Sequence, residues 1–259
     1  MALVIVEDRG PIGIATLNNP EKRNCLSNAL LEELLAALDG FDQRRARAVI
    51  LRAPAGSTVW SAGFDVRELP EHGRDPLAWD DPLEKVIRRI QTVRAPVIAM
   101  IEGAVYGGAC DMVLSCDLAI GCPSASFSMS PARMGVPYNS AGILHFINVV
   151  GARVAREMFY TAKPITAQRA LIIGILNHMV PLEVLETYTL EVARGIAENS
   201  PLAIEVLKEQ LRILSGTRPI SPDTFERLQA LRRRVYDSND YAEGRKAFLE
   251  KRKPVFTGD

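Results

Sequence analysis

Two short glycine-containing turns carry the residues with the clearest chemical potential. Residues 61–65 read Ser-Ala-Gly-Phe-Asp, and residues 106–111 read Tyr-Gly-Gly-Ala-Cys-Asp and lead into a predicted helix. Glycine allows the backbone to approach a ligand closely, and the first turn of a helix leaves N–H donors without intrahelical partners. Two such donors that converge can bind one oxygen atom, although a single turn of this kind is more often an ordinary tight turn.

The hydrophobic pattern around these turns alternates between strands and helices. Residues 3–6 and 12–17 predict a hairpin, and residues 48–51, 97–101 and 117–120 predict further strands. Leucines at the 3.6-residue period predict a helix that begins after Ser27 and ends near Gly40. Strands that alternate with helices indicate the α/β class, while the last third of the chain has too little strand for a sheet of its own.

Residues 70–82 have the composition of a loop. The end of this loop overlaps the start of a second predicted amphipathic helix at residue 81. The other predicted helices are separated by glycine or proline. They cover residues 81–92, 109–115, 141–148, 152–161, 167–173, 182–198, 201–214, 222–236 and 241–251.

Composition excludes several classes of protein. The 259 residues include 31 Lys and Arg and 31 Asp and Glu, so no net charge attracts a polyanion. A nucleic-acid partner is therefore disfavoured. The N-terminal residues lack the apolar run of a signal peptide, and no apolar stretch is long enough for a membrane span, so we expect a cytoplasmic protein without a membrane partner.

Cysteine and histidine spacing predicts neither a metal site nor a redox cofactor. The four cysteines, Cys25, Cys110, Cys116 and Cys122, do not form a CxxC pair. The six-residue spacing of the last three suits small buried side chains better than a set of metal ligands. No histidine has a carboxylate or cysteine at a useful spacing, so all three are interpreted as structural; they are His72, His145 and His178.

Together the motifs resemble those of the crotonase superfamily, also called the enoyl-CoA hydratase/isomerase family. The similar segments occur in family order along nearly the whole chain. They are Asn-Pro-Glu-Lys-Arg-Asn with a following Leu-Ser (19–27), 61–65, Glu-Gly-Ala-Val-Tyr-Gly-Gly-Ala-Cys-Asp (102–111), Cys-Asp-Leu-Ala-Ile (116–120), Ile-Thr-Ala-Gln-Arg-Ala-Leu (165–171) and Ala-Phe-Leu-Glu-Lys-Arg-Lys-Pro (247–254).

The resemblance implies a catalytic core of ββα turns arranged in a spiral over residues 1–200 and a helical trimerisation region over residues 201–259. It also implies acyl-CoA thioester substrates and a homotrimer or homohexamer. In the family, the thioester carbonyl oxygen binds two backbone N–H groups, which correspond to those of Phe64 and Gly108. The CoA contacts would fall on Arg23, Cys25, Ala62, Gly63, Phe64, Asp65, Val66, Gly108, Ser130 and Lys251.

The resemblance also predicts which reaction follows. Hydratases of the family use two glutamates, and their positions correspond to Asp111 and Ala132 here, so hydration by the usual pair is not expected. Residues 135–139 read Gly-Val-Pro-Tyr-Asn; with residues 73–77, 80–83 and 233–238 they are similar to the family's decarboxylases that act on methylmalonyl-CoA. Loss of CO2 forms the thioester enolate directly, so no base has to remove a proton. This fits the absence of a carboxylate at position 132.

Tyr138 is expected to orient the departing carboxylate, with proton delivery to the carbanion as its second possible role. Two residues differ from the pattern of those decarboxylases, because Phe64 replaces a histidine and Asp111 replaces a glutamate. The predicted reaction is decarboxylation of methylmalonyl-CoA to propionyl-CoA. It needs no separate cofactor, since CoA is part of the substrate.

Two alternatives stay open. One is another acyl-CoA reaction of the family, isomerisation or hydration, carried out with Asp111 alone. The other is a non-catalytic relative that binds RNA, for which a basic helix face is needed. The first long helix carries Glu32, Glu33 and Asp39 before its terminal arginines, which disfavours that alternative.

Overall fold

A unit of two strands followed by a helix repeats along the chain, in a computed structural model that describes residues 2–70, 78–215 and 221–257. The strands are β1 (Val4–Arg9), β2 (Ile12–Leu17), β3 (Ala48–Arg52), β4 (Val59–Ser61), β5 (Val97–Ile101), β6 (Ala104–Tyr106), β7 (Leu118–Gly121), β8 (Ser126–Ser128), β9 (Ile165–Thr166) and β10 (His178–Met179). The helices are α1 (Asn28–Gln43), α2 (Pro82–Thr92), α3 (Gly108–Leu114), α4 (Ser140–Thr161), α5 (Ala167–Ile172), α6 (Leu182–Glu198), α7 (Pro201–Ser215), α8 (Pro222–Tyr236) and α9 (Asn239–Leu249).

Both strands of the first unit, β1 and β2, join one sheet, whereas the two strands of each of the next three units join different sheets. The larger sheet has the order β1-β2-β3-β5-β7-β10, and the smaller sheet has the order β4-β6-β8-β9. The units β3-β4-α2, β5-β6-α3 and β7-β8-α4 therefore add one strand to each sheet per turn of the chain. This is the ββα spiral that the sequence resemblance predicts.

Alternating side chains of the larger sheet fill two separate cores, because successive residues of a strand face opposite sides. In β3, Val49 and Leu51 belong to the main core, which also contains the apolar faces of α1 and α2. Ala48 and Ile50 belong to a smaller core on the other face, which α6 covers with Leu185 and other apolar side chains.

Several predicted element boundaries are confirmed. The hairpin forms as expected, and Ser27 caps α1 by accepting a hydrogen bond from the backbone N–H of Leu30 at 3.3 Å. The predicted helices 141–148 and 152–161 form one element with a kink, because Gly151 has φ +74°. α9 begins at Asn239 and ends at Leu249, so Lys251 lies beyond the helix instead of in it.

Some expectations lie outside the described residues. They are most of the predicted loop 70–82, including His72, and the motif at residues 73–77. In the described residues, no helix combines the length and apolar character that crossing a membrane requires.

The last part of the chain packs back onto the spiral. Tyr241 of α9 donates its hydroxyl hydrogen to the carbonyl oxygen of Pro70 at 2.7 Å, and Tyr236 donates to that of Pro137 at 3.0 Å. Both tyrosines share a small apolar cluster with Val66 and Val136. The division at residues 200 and 201 stays a prediction, and it coincides with the connection between α6 and α7.

Candidate active site

Three parallel strands of the smaller sheet bring the predicted turns together. In β4, β6 and β8, Ser61 pairs with Val105, and Tyr106 pairs with Ser128. Because parallel neighbours end at the same edge of a sheet, the segments that follow them emerge side by side. Phe64, Gly108 and Ser130 each lie two or three residues beyond these strand ends, and all three line one cleft.

This cleft has a volume of about 410 Å³ and contains most of the residues predicted to bind acyl-CoA. The predicted residues on its wall are Arg23, Cys25, Ala62, Phe64, Asp65, Val66, Gly108, Ser130 and Tyr138. Three others are not among its described wall residues, namely Gly63, Asp111 and Lys251. Gly63 instead lies under the wall, between two residues that face the cleft.

The two glycine turns are in close contact, which explains why the first turn does not tolerate a side chain at Gly63. Gly63 has φ +82°, and a β-carbon there would lie 2.5 Å from the carbonyl oxygen of Tyr106 and 3.4 Å from the nitrogen of Gly108. A β-carbon on Gly108 would lie 2.7 Å from Cδ2 of Leu83 and 3.9 Å from the nitrogen of Phe64. The backbone nitrogens of Phe64 and Gly108 therefore lie close to one another.

Backbone pairing leaves these two N–H groups free to bind a ligand. On either side of Phe64, the nitrogen of Leu26 donates to the oxygen of Gly63 at 2.8 Å and the nitrogen of Asp65 donates to the oxygen of Leu26 at 3.2 Å. The N–H of Phe64 thus points away from Leu26. Within the described residues, neither this N–H nor that of Gly108 donates a hydrogen bond. Two converging donors of this kind can stabilise an oxyanion.

Tyr138 reaches the cleft from the segment before α4 and is bonded to a buried carboxylate. Its hydroxyl donates to Oδ2 of Asp111 at 2.9 Å, and Oδ1 of the same carboxylate lies 2.7 Å from Nδ1 of His145. Burial, followed by the charge and hydrogen bond of Asp111, raises the pKa of Tyr138 well above its ordinary value. The phenol therefore stays protonated at neutral pH.

The interpretation of His145 as a histidine without a carboxylate partner is wrong. Asp111 on α3 and His145 on α4 are distant in sequence, but these two helices pack together. Burial lowers the pKa of His145, but the hydrogen bond to Asp111 and the charges of Asp111 and Glu84 outweigh it and raise the pKa above its ordinary value. Nε2 of His145 lies 3.0 Å from Nε2 of Gln91.

A second buried carboxylate, Glu84 on α2, was not predicted. It is 5% exposed, and its Oε1 accepts a hydrogen bond from Nδ2 of Asn139. Burial, followed by the charge of Asp111, raises the pKa of Glu84 to about 7. The sequence indicates its burial in one way: Glu84 lies three residues before Ile87 and therefore beside the apolar stripe of α2.

Other polar residues of the wall have local partners. Nε of Arg67 donates to Oδ1 of Asp65 at 2.8 Å, and this arginine is the largest cause of the lowered pKa of Asp65. Burial, followed by the charge of Asp65, raises the pKa of the Cys25 thiol, so Cys25 contributes a neutral side chain. The described residues contain no group of His, Cys, Asp and Glu side chains that could hold a metal ion.

The remaining predicted residues lie elsewhere. Lys251 is exposed after α9, with φ +55°. Cys110 and Cys122 are buried, as expected, while Cys116 is partly buried, and all four cysteines are free thiols. His178 stacks edge-on against Tyr188, with ring centroids 5.4 Å apart.

Comparison with known proteins agrees with this geometry. Residues 7–259 match the model of the family described as enoyl-CoA hydratase/isomerase. The methylmalonyl-CoA decarboxylase of Escherichia coli (strain K12) is 49% identical over 247 residues, which is 95% of each chain. The crotonase fold and the family resemblance seen in the sequence are thereby confirmed.

Two solved structures are similar to nearly the whole chain. A methylmalonyl-CoA decarboxylase in complex with 2-nitronate-propionyl-CoA superposes with a TM-score of 0.97 at 48% identity and covers 99% of both chains. A methylmalonyl-CoA decarboxylase complexed with 2S-carboxypropyl-CoA also has a TM-score of 0.97 at 48% identity, and it covers 99% of this chain and 98% of its own.

Proposed function

The chain belongs to the enoyl-CoA hydratase/isomerase family, and from that premise we propose that it decarboxylates methylmalonyl-CoA to propionyl-CoA. One observation carries the proposal. The wall of the cleft combines Phe64 and Gly108, whose N–H groups are free, with Tyr138, whereas Asp111, which accepts the hydrogen bond of the Tyr138 hydroxyl, is not among the described wall residues. The relatives and structures reported above, which are methylmalonyl-CoA decarboxylases, support it.

In this proposal the thioester carbonyl oxygen accepts hydrogen bonds from Phe64 N–H and Gly108 N–H. When the bond to the carboxyl carbon breaks, its electron pair passes into the thioester and forms an enolate whose negative charge rests on that oxygen. Fixed donors are most effective where charge develops, and losing one typically costs about 2.7–4 kcal/mol of transition-state stabilisation. The Phe64 side chain has no polar atom, so this residue acts through its backbone alone.

Tyr138 faces the departing carboxylate. Its hydroxyl holds the carboxylate out of the thioester plane, so that the breaking bond overlaps the carbonyl π system. CO2 then leaves without any base having to remove a proton. This role agrees with the burial of Tyr138, which is 7% exposed and packs against Phe159 with ring centroids 5.7 Å apart.

The structure disfavours hydration as the reaction. That mechanism needs two carboxylates that face the substrate, one to activate the water molecule and one to protonate the substrate. Ala132 stands at one expected position and is exposed outside the cleft, while both oxygens of Asp111 bind Tyr138 and His145. Glu84 does not line the cleft in the described residues.

CoA enters as part of the substrate, and no separate cofactor is proposed. Lys22 and Arg23 lie on the cleft wall, where their charges can bind the nucleotide phosphates. Arg67 is on the same wall but is already paired with Asp65. Lys251 is proposed to contact the phosphates from its exposed position after α9, within its own subunit or a neighbouring one.

We further propose a homotrimer or homohexamer in the cytoplasm. α7 exposes an apolar face that includes Leu207, Leu211 and Leu214, each more than half exposed. In a monomer this apolar face stays in contact with water, whereas contact with other copies of the chain would bury it. The free thiols agree with a reducing compartment. Light scattering after size-exclusion chromatography tests the assembly.

The reaction is tested by incubating the purified protein with methylmalonyl-CoA and, in parallel, with crotonyl-CoA. We expect release of CO2 with formation of propionyl-CoA, and no addition of water to crotonyl-CoA. Water addition without CO2 release would contradict the proposed function. RNA binding is checked in the same preparation by gel shift, where the proposal expects no salt-dependent complex.

A further inference from the structure

Three ionisable side chains form a cluster next to Tyr138 without lining the cleft in the described residues. They are Glu84 on α2, Asp111 on α3 and His145 on α4. Glu84 and Asp111 are buried, with exposed fractions of 5% and 0%, and His145 is partly buried. Hydrogen bonds connect Tyr138 Oη to Asp111 and Asp111 to His145, and among these residues Tyr138 is the one that lines the cleft in the part of the chain that the structure describes.

The observed hydrogen bond leaves Tyr138 without a proton to offer. A phenol has one donor hydrogen, and here Asp111 Oδ2 accepts it at 2.9 Å. In this arrangement Tyr138 can neither hydrogen-bond to a substrate carboxylate as a donor nor protonate carbon. One additional proton on the carboxyl group would reverse the bond, because the carboxyl O–H could then donate to Oη and release the hydroxyl hydrogen toward the cleft.

Gln91 and Asp111 contact the two ring nitrogens of His145. Nε2 of Gln91 is a donor, and it faces Nε2 of His145 at 3.0 Å. In the neutral tautomer whose Nε2 accepts from Gln91, the ring hydrogen lies on Nδ1, which is 2.7 Å from Oδ1 of Asp111 and donates to it. Neutral His145 thus occupies one oxygen of Asp111, and the other oxygen faces Tyr138.

Negative charge makes proton uptake favourable here. Glu84 is buried, and burial followed by the charge of Asp111 favours its protonated form. A positive charge nearby is that of Arg88 on α2, whose NH1 lies 4.0 Å from Oε2 of Glu84. The other titratable group on α3 is the buried thiol of Cys110, whose pKa burial raises to about 12. A bound substrate carboxylate adds a third negative charge beside Tyr138.

We propose that Glu84, Asp111 and His145 together take up one proton when the carboxylated thioester binds, and that Tyr138 passes this proton to the substrate carbon. The inference rests on the proposed function. Decarboxylation consumes one proton, because the substrate carboxylate leaves as neutral CO2 and a C–H bond replaces the broken C–C bond. The enolate electron pair forms that C–H bond with the hydroxyl hydrogen of Tyr138. The carboxyl proton of the cluster then restores the phenol.

In this scheme Glu84 and His145 are positioning residues. They do not touch the substrate, and they act through Asp111 by setting the charge of the cluster and by fixing which oxygen faces Tyr138. The scheme also supplies the proton that a histidine at position 64 could have donated, since Phe64 has no polar side-chain atom.

Proton uptake can be measured without turnover. The probe is 2S-carboxypropyl-CoA, which carries the carboxylate but lacks a thioester carbonyl. Its binding is followed by titration calorimetry near pH 8 in two buffers of different ionisation enthalpy. The wild type, Glu84→Gln and His145→Asn are compared with His178→Asn, which makes the same chemical change at a histidine distant from the cleft.

We expect the wild type and His178→Asn to take up about one proton on binding, and Glu84→Gln and His145→Asn to take up roughly half as much or less. Binding without proton uptake in the wild type, or equal uptake in all four proteins, overturns the inference. Release of CO2 from methylmalonyl-CoA is measured on the same wild-type preparation. If CO2 is released without proton uptake, only the inference fails; if no CO2 is released, the proposed function fails and the inference fails with it.

The pH profile of kcat separates the positioning role from a simple structural defect, because a structural defect would leave that profile unchanged. His145→Asn should lower kcat by about 10²-fold, a typical contribution of a positioned proton donor, and should displace the pH profile of kcat while changing KM little. Unchanged pH dependence in a folded variant would contradict the positioning role.

Discussion

Gly142 packs against Tyr138 so closely that a β-carbon at position 142 would overlap Cε1 of the tyrosine ring. The same β-carbon would lie 2.5 Å from Oδ2 of Asp111. Gly142 belongs to the first turn of α4, where its N–H donates to the side chain of Asn139. The start of α4 therefore holds the hydrogen bond between Tyr138 and Asp111 in place.

Replacing this glycine should disturb the site more than the fold. Gly142→Ala forces the Tyr138 ring away from Asp111, and we expect kcat to fall at least tenfold, with a loss of about 1–3 kcal/mol in unfolding free energy from overpacking. Steady-state kinetics and urea unfolding measure the two effects. The control is Gly195→Ala in α6, where a β-carbon meets nothing within 4 Å; this variant should keep its kcat and gain stability. Equal kcat in both variants would contradict the account.

Loss of the Tyr138 hydroxyl should affect turnover more than binding. Tyr138→Phe keeps the ring and its contact with Phe159 but removes the hydroxyl that we propose faces the substrate carboxylate. We expect kcat to fall by about 10²-fold and KM to change by less than about threefold. A parallel change in both constants would argue against the orienting role.

Lys251 should contribute chiefly to binding. Lys251→Ala removes an exposed charge after α9, so we expect a higher KM for the CoA thioester and an unchanged kcat. The effect should weaken as salt concentration rises, because exposed charges are screened. Lys253→Ala removes another exposed lysine from the same segment and serves as the matched control. If both variants bind alike, the contact assigned to Lys251 is refuted.

Glu84 should make the fold less stable as pH rises. Its pKa increases from 4.5 to about 7 on folding, so the folded state holds more protons than the unfolded state between these values. Stability therefore decreases as pH rises through this window, by on the order of 3 kcal/mol in total. Glu84→Gln cannot ionise and still accepts from Asn139, so the variant should gain stability over the wild type at pH 8 but much less at pH 5.

A second glutamate gives the matched control for that experiment. Glu157 is exposed, and its hydrogen bond with Arg169 lowers its pKa, so it is ionised at both pH values. Glu157→Gln should change stability equally at pH 5 and pH 8. Urea unfolding of the three proteins at the two pH values measures the difference. A Glu84→Gln variant with the same pH dependence as the wild type would show that this carboxyl is not the titrating group.

Local signals in the sequence predicted much of the fold. Ser27 was recognisable as a helix cap because its side chain satisfies an N–H of the first turn, a rule that needs no knowledge of the rest of the chain. Gly151 was recognisable as a break between two apolar periods, and its positive φ accounts for the kink. The family motifs then supplied the cleft residues that no local pattern could connect.

Long-range contacts escaped the sequence analysis. β6 and β8 have three residues each, too few to show a period of two, yet they place Gly108 and Ser130 at the cleft. The sequences of α2 and α4 do not indicate that Glu84 and His145 interact with another ionisable group. Their chemistry comes from Asp111 on a third helix, and only the packing of α2, α3 and α4 reveals it.

The central claim, that two backbone N–H groups bind the thioester oxygen while Tyr138 faces the carboxylate, is tested most directly by a crystal structure with 2-nitronate-propionyl-CoA. We predict that the thioester oxygen lies about 2.7–3.1 Å from both the Phe64 and Gly108 nitrogens, and that the nitronate contacts Tyr138 Oη. A thioester oxygen directed away from these nitrogens, or a nitronate on the far side of the cleft from Tyr138, would contradict the account.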